Sequence, residues 1–171
     1  MATLVTGCAT IHPAKESPAV GLQAVDGSGH GIRGVIAQEE SKHGIPAGLL
    51  DAIAAVESEY APHLVNTRTK DHRFKTKQKA AQFAQKAIAA GNRNMSVGCM
   101  QIHYKSHSQH FGSVDEMLDP NKNIAYGAQL LRQLYNKYKS WEKAVKLYHA
   151  SKPKYNVVYF RKVMKKYAKK L

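Results

Sequence analysis

The chain has 171 residues and a formal net charge of +14. That length suits one domain with its own core, and no stretch stays apolar long enough to cross a bilayer as a helix. The charge favours polyanionic partners. The two cysteines, Cys8 and Cys99, lie in no disulfide or metal-ligand pattern, so neither device underlies the fold.

The segment Leu4-Val5-Thr6-Gly7-Cys8 has the form of the end of a bacterial lipoprotein signal, whose cysteine is lipidated after cleavage. A complete signal needs a basic start and a longer apolar stretch. Residues 1–8 are therefore read as the remnant of such a signal, with Cys8 as the lipidated residue. Residues 9–31, with Pro13, Pro18, Gly21, Gly27, Ser28, Gly29 and Gly31, read as a flexible tether. From Ile32 the pattern is helical. Ile32–His43 forms a first helix stopped by Gly44, and Pro46 is placed to open the next helix in its first turn. In that second helix Leu50, Ile53, Ala54 and Glu57 fall at i, i+3, i+4 and i+7, on one face. A polar stretch, Pro62 to Lys75, follows. Thr76–Ala90 is an amphipathic helix with Ala80, Phe83, Ala84, Ala87 and Ile88 inward and Gly91 at its C-terminal cap. Asn121–Tyr138 carries Ile124, Ala128, Leu131, Leu134, Tyr135 and Tyr138 along one face, and Trp141, Ala144, Val145 and Tyr148 repeat that spacing. A last basic helix holds Tyr159, Phe160, Val163 and Tyr167 among its lysines. With no strand alternation of useful length, the expected fold class is all-α.

Glu57 is the residue with most to say about chemistry. A carboxylate on the buried stripe of a helix is costly unless paired or protonated, and burial raises a carboxyl pKa towards the range of a general acid. Glu57 is thus either a satisfied structural carboxylate or a catalytic acid. The segment Met95-Ser96-Val97-Gly98-Cys99-Met100-Gln101-Ile102 sets one amide among small and apolar residues. Gln101 there offers a donor and an acceptor to a sugar hydroxyl or N-acetyl group; its bland alternative is a surface residue at a tight helix start. His103, His107 and His110 lie at i, i+4 and i+7. This spacing can hold a metal on a helix, but no carboxylate or cysteine stands at a matching offset, so a solvated histidine face is expected and no metal site.

Four motifs occur in order: Val56-Glu57-Ser58; Gly98-Cys99-Met100-Gln101-Ile102; Asp119-Pro120 with Asn123-Ile124 and Gly127; and Ala144-Val145-Lys146-Leu147-Tyr148-His149. Together they resemble the lytic transglycosylases with a soluble-transglycosylase (SLT) catalytic domain, over Ile32 to the C-terminus. Two departures stand out. The link between Glu-Ser and the glutamine motif is long and contains a helix. Cys99 replaces the usual leucine, and Tyr148-His149-Ala150-Ser151 replaces the usual Tyr-Asn-Ala-Gly, as in a proteobacterial subgroup with Gly-Cys-Met-Gln.

The resemblance implies a lysozyme-like domain over residues 32–171, with peptidoglycan as substrate and no cofactor. Glu57 protonates the glycosidic oxygen between N-acetylmuramic acid and N-acetylglucosamine, then accepts the C6 hydroxyl proton as a 1,6-anhydro ring closes. Ser58, Asn66, Met100, Gln101 and Tyr148 are the expected substrate-binding residues, Tyr148 also as a hydrogen-bond partner of Glu57. Asp71 is the one further carboxylate able to turn the reaction towards hydrolysis, since Glu59, two residues on from Glu57, points elsewhere. A muramidase-type hydrolase and a non-catalytic wall-binding or secretion-accessory protein are the alternatives. A nucleic-acid partner is not expected: Tyr155, Tyr159 and Tyr167 sit among lysines at core spacing, and no recognition module is visible. The implied location is the bacterial envelope or periplasm, with membrane anchoring through Cys8 and an envelope secretion apparatus as partners.

Overall fold

A computed structural model describes residues 29–149 and 153–169. The signal remnant, Cys8 and nearly all of the expected tether lie outside the described residues. The helices are α1 (Gly29–His43), α2 (Leu49–Glu57), α3 (Lys77–Ala89), α4 (Tyr104–His107), α5 (Val114–Met117), α6 (Pro120–Tyr138), α7 (Trp141–His149) and α8 (Pro153–Tyr167). A 3₁₀ turn, Ser108–His110, follows α4. Four short strands, β1 (Leu64–Asn66), β2 (Asp71–Arg73), β3 (Ser96–Val97) and β4 (Ile102–His103), pair antiparallel in the order β2-β1-β3-β4.

The chain is mostly helical, as the periodicity implies. The small sheet was not expected. Its strands have two or three residues, too few for a period-2 pattern to register. The sheet holds together through register: Leu64 pairs with Arg73, Val65 with His72 and Val97, and Asn66 with Asp71 and Ser96, while Ser96 and Val97 pair with His103 and Ile102. Because side chains alternate across a strand, this yields two cross-strand rows. Val65, Val97 and Ile102 form a buried row. Asp71, Asn66, Ser96 and His103 form a polar row on the other face.

The helical part is built on α2, whose apolar stripe is as drawn from spacing. Leu50, Ile53 and Ala54 have no exposed surface. The start of the helix corrects the expectation, since Pro46 precedes it in a turn and Gly48, at φ 85°, is the N-cap. Its free N–H groups find an acceptor in the buried Glu40 of α1, which takes hydrogen bonds from Gly48 N (2.8 Å), Leu50 N (2.7 Å) and Asp51 N (3.1 Å). A carboxylate suits this end of a helix, where unpaired N–H groups and the helix dipole both favour negative charge. Helices α1 and α7 pack on α6, and α8 packs on α2 and α7. The three expected metal-spaced histidines do not share one helix face, because His103 ends β4 and His110 lies in the 3₁₀ turn beyond the single turn of α4.

Candidate active site

Helix α6 fixes the glutamine motif against the rest of the domain. Asp119 caps the helix by accepting from Lys122 N, with Pro120 in the first turn. One turn on, the fully buried Asn123 acts as a clamp. Its Oδ1 accepts from Met100 N at 2.8 Å, and its Nδ2 donates to Val97 O (3.0 Å) and Met117 O (2.7 Å). This closeness explains Gly98: a Cβ there would lie 2.4 Å from Asn123 Nδ2, and its φ is +79°. Gly127 has the same cause on the other side, since a Cβ would come within 2.9 Å of Met100 Cγ and 3.0 Å of Tyr148 Oη. The loop so held turns through Gln101 at φ 47°, a conformation unusual for a residue with a side chain.

Ser58 joins the two motifs. It ends α2, and its buried hydroxyl donates to Cys99 O at 2.7 Å. The next residues, Glu59 and Tyr60, both have positive φ, 55° and 66°. Arg73 of β2 braces this turn by donating to Ser58 O (3.0 Å) and Glu59 Oε2 (3.2 Å). The long link between the motifs thus ties the sheet to the end of the Glu57 helix.

Between these parts lies a cleft of about 680 Å³. Glu57, Tyr148, His149 and Lys162 line it from the helices, and Asn66, Asp71, Ser96 and His103 from the sheet, with Gln101, Ser106 and His107 between them. The polar row of the sheet is therefore one wall of the cleft. Of the expected residues, Glu57, Asn66, Gln101, Tyr148 and Asp71 meet there. Ser58 and Met100 do not line it. Both are buried behind it and support the loop, which corrects their expected contact with substrate. Asn66 donates to Asp71 Oδ1 at 2.5 Å, and Gln101 Nε2 donates to Gly98 O at 2.8 Å.

The side chain of Glu57 is 9 % exposed, and its ion-pair partner is His149, with Nδ1 3.4 Å from Oε1. The contrast with Glu40 is direct: three backbone N–H groups saturate that carboxylate, whereas Glu57 faces a cavity and a titratable ring. Tyr148 corrects another expectation. Its hydroxyl donates to Met100 O at 3.0 Å instead of to Glu57, because the close approach at Gly127 seats it beside the loop. Burial first, then the charge of Glu57, pushes its pKa well above the usual phenol range.

Sequence reasoning missed His149 and Tyr159. The interaction with Glu57 raises the His149 pKa against the effect of burial, and Lys162 opposes the rise. Its ring stacks on Tyr159, with centroids 4.4 Å apart and planes 8° apart. The Tyr159 hydroxyl is buried and has no hydrogen-bond partner of full geometry among the described residues. Burial first, and then Glu57, push its pKa well above the usual phenol range. Its spacing marked it only as a core aromatic. Across the cleft the shifts are opposite. His103 and His107 are both lowered by burial, then by Lys105 and Arg68 at His103 and by the two neighbouring imidazoles at His107. Their rings are engaged by Ser106 and Asn94 and by Tyr126. No group of three or more His, Cys, Asp or Glu able to hold a metal occurs among the described residues. Cys99 is buried, its thiol pushed up to about 12 by desolvation.

No curated protein and no solved structure matches the chain. The family model for the transglycosylase SLT domain matches residues 34–169, a span that contains Glu57, the clamped glutamine loop, both walls of the cleft and the Asn123 and Gly127 contacts. The fold is accordingly lysozyme-like, and the chain belongs to the transglycosylase SLT domain family, whose members act as peptidoglycan lytic transglycosylases.

Proposed function

We propose that the chain cleaves the β-1,4 bond between N-acetylmuramic acid and N-acetylglucosamine without water, leaving a 1,6-anhydromuramic end. The observation that carries this reading is Glu57, a carboxyl 9 % exposed at the end of a helix and lining the cleft. It protonates the glycosidic oxygen as the C1–O bond breaks. It then takes the proton of the C6 hydroxyl as O6 bonds to C1. Gln101 and the polar row Asn66, Ser96 and His103 supply hydrogen bonds that seat the sugars. A peptidoglycan substrate sets the site of action in the bacterial envelope. Anchoring through Cys8 and work beside a secretion apparatus belong to the same proposal, checked by labelling with a fatty-acid analogue.

Hydrolysis is the second reading, favoured by one observation: Asp71 also lines the cleft. Glycoside hydrolases ordinarily use two carboxylates flanking the bond. Here the Asp71 carboxylate is engaged by Asn66 Nδ2. Mass spectrometry of products from purified peptidoglycan separates the readings. Anhydro products, a water lighter than reducing ends, retained by Asp71→Asn and absent with Glu57→Gln, are the expected result. Reducing ends lost with Asp71→Asn assign hydrolysis. No products from the unaltered chain would leave a binding role.

A further inference from the structure

We propose that His149 shares the working proton of Glu57, so that the pair, and not the carboxyl alone, is the acid and base of the reaction; this rests on the role of Glu57 proposed above. His149 is then a positioning residue that acts through Glu57. Its Nδ1 stands 3.4 Å from Glu57 Oε1, and the stacked Tyr159 ring fixes the plane of the imidazole. The side chain of His149 is 45 % exposed against 9 % for Glu57, and it lines the cleft. The ring thus gives a nearly buried carboxyl a second and more exposed route for exchanging protons with water. Asparagine, the usual residue at this position in the wider family that the chain resembles, carries no exchangeable charge and cannot serve this way.

The groups around the ring favour its loaded form on balance. Glu57 of α2 raises the His149 pKa and Lys162 of α8 opposes it. The phenols of Tyr159 on α8 and Tyr148 on α7 remain neutral, both raised well above their usual range. Tyr126 of α6 bears on Tyr148. Lys146, one turn back on α7, is paired with Glu142.

One proton then sits on the pair in two arrangements, imidazolium with carboxylate or imidazole with carboxylic acid. The second arrangement gives its proton to the glycosidic oxygen as the C1–O bond breaks. The empty pair takes the C6 hydroxyl proton as the C1–O6 bond forms. The cycle returns to its start with no electron transferred and no proton gained or lost. Two interacting sites titrate as a pair, so the high-pH limb of activity follows the pair and lies above that of a lone carboxyl.

The test is the pH–rate profile of the full chain on purified peptidoglycan, beside His149→Asn and His149→Gln. The expected result is a high-pH limb moved down by about one pH unit or more in both variants, with a smaller loss on the acid side. Limbs that coincide with the unaltered chain, whatever the drop in rate, would overturn the proposal and leave His149 as packing for Tyr159. A second measurement does not depend on product chemistry: NMR titration of the His149 ring should show its pKa fall in Glu57→Gln. An unchanged ring pKa also overturns the pair. If the unaltered chain makes no product at any pH while the ring responds to Glu57→Gln, the reading of the reaction fails and the pair stands.

Discussion

Three histidines line one cleft, and its two walls push them in opposite directions. On the helical wall Glu57 raises His149; on the facing side burial and neighbouring positive charge lower His103 and His107. The helical wall is therefore a place where protons are held. The sheet wall is a row of hydrogen-bonding groups, with one carboxylate, Asp71, held by Asn66. The difference follows from construction. Helices α2, α7 and α8 bring a nearly buried carboxyl, an imidazole and two phenols together from three elements. The sheet instead sets Asp71, Asn66, Ser96 and His103 in a row by register alone. The packed helices gather the titratable groups, and register aligns the polar row that faces them across the cleft.

The sharpest way to break this comparison is Glu57→Gln. Product formation should fall by about 10²–10⁴-fold, the usual worth of a positioned acid–base group, while the melting temperature falls only by the small amount that the lost pairing with His149 contributes, because the amide keeps the shape of the side chain. A parallel loss of stability would make Glu57 a structural carboxylate like Glu40. Next is Gly98→Ala. Its Cβ meets the Asn123 clamp at 2.4 Å and its φ is +79°, so the substitution should cost about 2–4 kcal/mol in denaturant unfolding. Both walls should suffer together, since Gly98 N also bonds Leu64 O of the sheet.

Asn66→Ala tests the recognition wall. Loss of one hydrogen bond to substrate should raise KM by about 2–10-fold and leave kcat nearly unchanged. A kcat effect as large as that of Glu57→Gln would move chemistry onto the sheet. The smallest effect is on stability against pH. His103 and His107, with folded values below 6.5, bind protons better when unfolded, so their contribution is present above pH 6.5 and is lost as pH falls through their folded values. His149 is raised, so its contribution is full below 6.5 and is lost as pH rises through its folded value. Replacing His103 and His107 with Gln should flatten the acid side of the stability profile measured by thermal unfolding, and His149→Asn the other side.

The two walls also differ in how far the amino-acid sequence revealed them. Glu57 stood out because it interrupts a stripe of 3.6 period, and that stripe is buried as drawn. Tyr159 and His149 did not. One has the spacing of any core aromatic and the other closes a helix, and their meeting with Glu57 depends on how α8 packs on both α2 and α7. Ser58 and Met100 went the other way. Motif position suggested contact with substrate, but both are buried in the joint between α2 and the glutamine loop.

The sequence alone determined the helical class, the main helices, the order of the motifs and the singular position of Glu57, because periodicity and turn residues act over a few neighbours in the chain. Tertiary structure alone decided the polar row of the sheet, the clamp of Asn123 on Met100, and the partner of Glu57. Strands of two or three residues carry no local pattern, and contacts between residues as far apart in the chain as Met100 and Asn123 or Glu57 and His149 depend on packing that no local spacing encodes.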